Sequence, residues 1–158
     1  GTRWAYGNVF QKLTDIVAEA SNQDFETYFN AKLKNKIGMN GYWNFGTIFT
    51  IYHSNTRSMA RFGLLALNKG KWKDEQIINE SFFNAAINSS QEINPSYGYL
   101  WWLPHRSSDV IAAIGDGGNV IYINKNHNIV VSVTGYFKPM IFDRVEFIEK
   151  NVVEVLIK

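Results

Sequence analysis

Chemistry at a protein site needs a nucleophile or a metal, a group that moves protons, and donors for developing charge. The sequence supplies these unevenly. None of the 158 residues is cysteine, which removes thiolate nucleophiles, disulfides and Cys-based metal sites together. His53, His105 and His127 stand alone, with no second ligand at helical or strand spacing, so no metal is expected. No nucleophile-elbow motif is present. Gly115-x-Gly117-Gly118 lacks the lysine of a phosphate-binding loop and reads as a bend or bulge between strands. Asp143, Glu146 and Glu149 are carboxylates of one helix, with Glu146 and Lys150 in the favourable i,i+4 order. They read as solvated surface charge and not as an acid/base pair. The stretch "WAYGN" is different: within it, Tyr6 and Asn8 look like part of an active site. Each also has a plainer reading, Tyr6 as a core ring and Asn8 as the cap of a helix that begins at Val9.

Composition narrows the class. Charged residues make up 19% and the formal charge is only +2, with lysines scattered and forming no stripe, so no nucleic-acid partner is expected. No apolar run approaches the roughly 20 residues that span a bilayer. The rings, 15% of the chain, fit either a large core or an aromatic-lined cleft. No cofactor is called for. The first residue is Gly1 and not Met, so the sequence does not display a natural N-terminus, and a signal peptide could stand upstream.

The elements that must position Tyr6 and Asn8 follow from periodicity. Val9 to Ala20 predicts a helix, with Leu13, Ile16, Val17 and Ala20 at helical spacing. Asp24 caps a second helix that Gly38 ends. Gly41 to Tyr52 reads as an irregular aromatic loop with a short extended piece. Ser54 or Asn55 caps a third helix through Leu67, whose stripe Ala60, Gly63, Leu64 and Leu67 includes small residues suited to close approach. Asn68-Lys69-Gly70 is turn chemistry. Asn79 caps a short helix ending near Asn88. Strands are then predicted over Ser96–Leu103, Val110–Gly115 and Asn119–Thr134, the last a hairpin with a polar turn from Asn124 to Asn128. A helix from Phe142 to Lys158 closes the chain, with Val145, Ile148, Val152 and Val155 on one face. Helices, then an antiparallel sheet, then a covering helix make an α+β fold.

Several stretches together resemble the beta-lactamase-like serine hydrolases, the penicillin-recognising enzymes and their esterase and peptidase relatives. "GTRWAYGN" is similar to their Tyr-x-Asn segment, and "SNTRSMARFGLLALNKGKW" to the helix and turn that follow. "YGYLWW" and "GDGGNVIYINKNHNIVVSVTG" are similar to their late strands. The resemblance covers essentially the whole chain, residues 1 to 158, as the C-terminal portion of a single hydrolase domain. It implies a Ser-x-x-Lys nucleophile motif, a Tyr-x-Asn motif and a third motif on a strand. A serine hydroxyl is a poor nucleophile until a base takes its proton, and a nearby ammonium favours the phenolate form of a tyrosine. On this resemblance Tyr6 is the proton shuttle, and Asn8 offers its amide to a substrate carbonyl and to the lysine. Asp116, Gly117 and Gly118 form the third motif and bind substrate, and the Asn119 N–H donates to the oxyanion.

Two departures qualify the resemblance. Asp116 stands where penicillin-binding relatives place a lysine, so a substrate carboxylate there is repelled. An ester, a neutral amide or a substrate with a free amine fits better. No serine is followed three positions later by lysine; Ser54 and Ser58 are followed by Arg57 and Arg61, and arginine is a poor base. In the family that motif precedes Tyr-x-Asn, so the expectation is that an upstream segment of the same protein carries it. The compartment is not legible, with a lean to periplasmic or exported from the relatives. The rival expectation is a non-catalytic, stand-alone α+β domain that binds a ligand or partner through its aromatic surface.

Overall fold

Val120–Asn124 (β6) has every residue buried, because it is the central strand of a sheet covered on both faces. In the computed structural model, which describes residues 2–46, 49–135 and 143–158, it lies between Val110–Ile114 (β5) and Ile129–Val133 (β7), antiparallel to both. Strand alternation sorts the side chains. Ile111, Ile121 and Ile123 face one cluster with Ala66, Phe83, Trp101 and Leu103. Val110, Ala112, Val120 and Tyr122 face the other, with Val145, Ile148 and Val153. The result is a three-layer arrangement, with helices on each side of the sheet.

The chain opens with a 3-10 turn, Asn8–Lys12, that runs into helix α1, Leu13–Ser21. The expected helix is there, but its cap is Gly7, so Asn8 is the first residue inside the turn and not its N-cap. Asp24 caps the next helix by accepting from the Thr27 N–H. That helix runs as α2, Phe25–Phe29, through a π turn, Asn30–Lys34, into α3, Asn35–Ile37, and ends where Gly38 adopts φ 68°.

The stretch read as an irregular loop is a hairpin. Gly41–Phe45 (β1) pairs antiparallel with Thr50–Ser54 (β2), and the residues at 47–48 between them lie outside the described residues. Period-two alternation explains it: Trp43 and Tyr52 turn toward Phe25 and Phe29, with ring centroids 5.0–5.3 Å apart, while Tyr42 and Ile51 face solvent. Aromatic density hid that alternation in the sequence.

Asn55, and not Ser54, caps helix α4, Thr56–Leu67, by accepting from the Ser58 N–H. The small-residue expectation holds at Gly63, where an added Cβ would stand 2.5 Å from Val130 Cγ1 and 2.9 Å from Ile121 Cγ2. The stripe itself is rotated from the expected one. Leu64 is exposed, and Gly63, Leu65 and Ala66 are buried, because α4 packs against both the sheet and the cluster of Ile37 and Met39. Two short strands not foreseen, Lys71–Trp72 (β3) and Glu75–Gln76 (β4), form a small hairpin. Helix α5, Glu80–Ala86, is capped by Asn79 as expected.

The predicted strand Ser96–Leu103 is a folded-back turn. Tyr97 bridges Trp102, and Trp102 in turn bridges Ala112 of β5. Leu100 takes φ 62°, which a continuous strand does not allow. The alternation persists at its end: Trp101 and Leu103 join the α4–α5 side, Trp102 the other.

The last helix was expected from Phe142, which lies outside the described residues. Asp143 is its cap, accepting from the Val145 and Glu146 N–H groups. It runs as α6, Arg144–Ile148, a π turn, Glu149–Val153, and α7, Glu154–Leu156. The π turn adds a residue to one turn, so the buried face passes through Val145, Ile148 and Val153, and Val155 is exposed. Glu149 is not mere surface charge. Its carboxylate accepts from the Tyr122 hydroxyl at 3.1 Å and lies 2.8 Å from His105 Nε2. His105, isolated in sequence, is thus tied to the terminal helix. Among the described residues no helix is long and apolar enough to cross a membrane.

Candidate functional site

Tyr6 lies in the extended segment before the first 3-10 turn and is 53% exposed. It does not read as a core ring. Its ring belongs to a cluster with Trp4, Phe10, Tyr97 and Trp102, at centroid distances of 5.9–6.4 Å. Trp102 fixes this cluster to the sheet, exchanging backbone bonds with Ala112 at 2.9 and 3.0 Å. The tight turn at Leu100 brings Tyr97 and Trp102 within 4.8 Å, edge to face. Beside Tyr6 lies an open surface groove of about 480 Å³. Trp4, Phe10, Tyr97, Tyr99 and Leu100 wall it, with Arg3 and Gln91 among its polar residues. Burial pushes the Tyr97 phenol up to about 12, with the adjacent Tyr6 as the second cause, so Tyr97 stays a neutral hydroxyl at ordinary pH.

The third-motif residues form a different feature. Asp116–Gly118 is a 3-10 turn joining β5 to β6, and not part of a strand. Gly117 at φ 72° and Gly118 at φ 102° take conformations that favour glycine, so backbone shape accounts for both. Asn119 is held by its amide, which donates to the Asp116 carbonyl at 2.8 Å, and by its carbonyl, which accepts from the Gly115 N–H. Arg144 donates to the Gly115 carbonyl at 2.8 Å and ties the turn to the terminal helix. Asp116 is exposed. None of these four turn residues lines the groove at Tyr6. They are linked to it through β5, which carries Trp102 at Ala112 and ends in this turn. The Asn8 side chain lies outside the described residues.

Tyr97, Trp102 and the Leu100 turn are the site residues that sequence reading missed. The signal was the ring density of "YGYLWW", which reads equally as a strand. A further group emerges from register. Because Ala112 bonds outward to Trp102, the even-numbered residues of β5 turn their backbone groups away from β6. Ile114, next on that edge, directs its N–H and carbonyl the same way. Among the described residues no group of three or more His, Asp or Glu side chains gathers into a metal-ligand set.

Comparison with solved structures places this architecture. The chain superposes with a TM-score of 0.80 and 23% identity on a protein of Bacillus anthracis provisionally named a 6-aminohexanoate-dimer hydrolase, covering 99% of this chain and 44% of that one. It superposes with a TM-score of 0.78 and 15% identity on a protein of Bacteroides dorei provisionally named a beta-lactamase, covering 99% of this chain and 59% of that one. No protein-family model and no curated protein sequence matches. The chain therefore has a beta-lactamase-like α+β fold, and it spans about half the length of the solved structures it matches.

Proposed function

We propose that this chain is the C-terminal portion of a serine hydrolase that cleaves an ester or amide through an acyl-enzyme. In this reading a segment preceding it in the full protein supplies a Ser-x-x-Lys nucleophile, and Tyr6 shuttles the proton between serine and leaving group. The observation that carries it is Tyr6 itself, a phenol exposed at the rim of a groove of about 480 Å³ in a beta-lactamase-like fold. Asn8 orients the substrate carbonyl, Asp116, Gly117 and Gly118 contact substrate, and the Asn119 N–H serves the oxyanion.

The substrate class follows from charge. Asp116 is exposed and disfavours a carboxylate beside it, whereas an ammonium group is attracted. An amide with a free amine suits it, and a 6-aminohexanoate dimer, the compound for which one structural neighbour is named, carries both. The test joins this chain to the upstream segment and measures ester and amide turnover with labelling by a serine-directed phosphonate. Turnover and labelling at a serine of the upstream segment support the reading. Turnover by the 158-residue chain alone, abolished by changing one of its own serines, sinks it.

A further inference from the structure

The groove beside Tyr6 is walled largely by aromatic side chains. Tyr6, Tyr99 and Leu100 are 53%, 48% and 49% exposed, so large apolar surfaces face water on its walls. The rings behind them are held firmly. Trp4 meets Tyr97 and Trp102 edge to face at 6.0 and 6.1 Å, and Tyr97 meets Trp102 at 4.8 Å. A preset aromatic wall loses little conformational freedom when a flat group lies against it.

The lip of the groove is also built at a cost. Leu100 holds a left-handed conformation at φ 62°, bracketed by the Tyr99 N–H bond to the Ala86 carbonyl at 2.8 Å and the Gly98 N–H bond to the Trp101 carbonyl at 2.9 Å. Leu100 is one of six described non-glycine residues at positive φ, and the turn that closes the Tyr97–Trp102 bridge places its side chain on the groove. Among the described residues Arg3 is the one charged residue lining the groove, and no described acidic side chain pairs with it. Its guanidinium fork matches a carboxylate geometrically.

We propose that this groove is a binding subsite for a flat apolar body that carries a terminal carboxylate, with the rings receiving the body and Arg3 the anion. The assignment of the groove as a substrate site rests on the hydrolase reading, and it adds the substrate's distal half.

The test object is the chain joined to its upstream segment, with the Ser-x-x-Lys serine changed to alanine so that binding is read without turnover. It is titrated with 2-naphthoate, 2-naphthamide and acetate while the tryptophan indole N–H resonances are followed. The expected result is saturable shifts at Trp4 and Trp102 for both naphthyl compounds, with naphthoate about fivefold to tenfold tighter and acetate without effect. Arg3→Gln should bring naphthoate down to the naphthamide level, and Leu100→Gly should weaken both. Shifts centred on Trp43 or Trp72, binding of acetate equal to that of naphthoate, or an Arg3→Gln chain with unchanged preference would overturn the proposal. Hydrolysis by the complete enzyme with no naphthoate binding would remove the subsite and leave the hydrolase. Naphthoate binding with no turnover by the complete enzyme would do the reverse.

Discussion

At the scale of single residues, two tyrosines illustrate opposite uses of one side chain. Tyr6 is exposed at a groove, and on the proposed reading Tyr6→Phe in the complete protein should lower kcat by about 10²–10⁴ with the melting temperature unchanged. A matching loss of folded protein would show that the ring is structural. Tyr122 is fully buried, and burial first, then the nearby Glu149 carboxylate, pushes its phenol up to about 12, with the Asn124 amide acting in the opposite direction. The folded state therefore keeps its proton when the unfolded chain, with an ordinary phenol near 10, has lost it. Stability from this group is complete below pH 10 and is lost as pH rises toward 12, by about 2 kcal/mol. Denaturant melts at pH 9 and pH 11.5 should show that loss in the native chain and a smaller one in Tyr122→Phe. Equal losses in both would place the alkaline sensitivity elsewhere. Tyr6 was legible as a candidate because its neighbours in sequence frame it. Tyr122 and its acceptor were not, since Glu149 reaches it only through the fold.

At the scale of elements, the terminal helix shows how a local irregularity redirects a surface. The Glu154 N–H bonds to the Glu149 carbonyl, five residues back, and this wider turn moves the apolar face by one position. Val153 is 4% exposed while Val152 is only half-buried. Val153→Asp should therefore unfold or aggregate the protein, with a destabilisation of about 3 kcal/mol or more, because it sets an unpaired carboxylate against Val120 and Tyr122. Val152→Asp should cost clearly less. Thermal melts that rank the two in the opposite order would restore the regular helical face. Helix α4 gives a second case. Gly63→Ala puts a methyl 2.5 Å from Val130 Cγ1, so it should destabilise by about 1–3 kcal/mol even though alanine favours helices. A melting temperature raised by that change would show that α4 is not seated on β6 and β7. Caps at Asp24, Asn55, Asn79 and Asp143 organise these helices, and cap chemistry is local.

At the scale of the whole molecule, the chain covers 44% and 59% of the two solved structures whose fold it shares. On the proposed reading the 158-residue chain alone should not hydrolyse p-nitrophenyl esters above background, and the upstream segment, fused or added, should restore turnover. Lack of restoration in a mixture that forms a stable complex would favour a binding domain without catalysis. The sequence by itself determined the α+β class, the caps at Asp24 and Asn79 and the β6–β7 hairpin, because each depends on spacing or on side chains reaching only a few residues along the chain. Only the tertiary structure decided that "YGYLWW" folds back at Leu100 to wall a groove, that aromatic residues from Trp43 to Tyr52 pair as a hairpin, and that the last helix turns Val153 inward. The physical reason is common to all three. Rings and aliphatic side chains carry nearly the same burial energy in a strand, a turn or a helix, so their partners must be present before the backbone around them settles on one conformation.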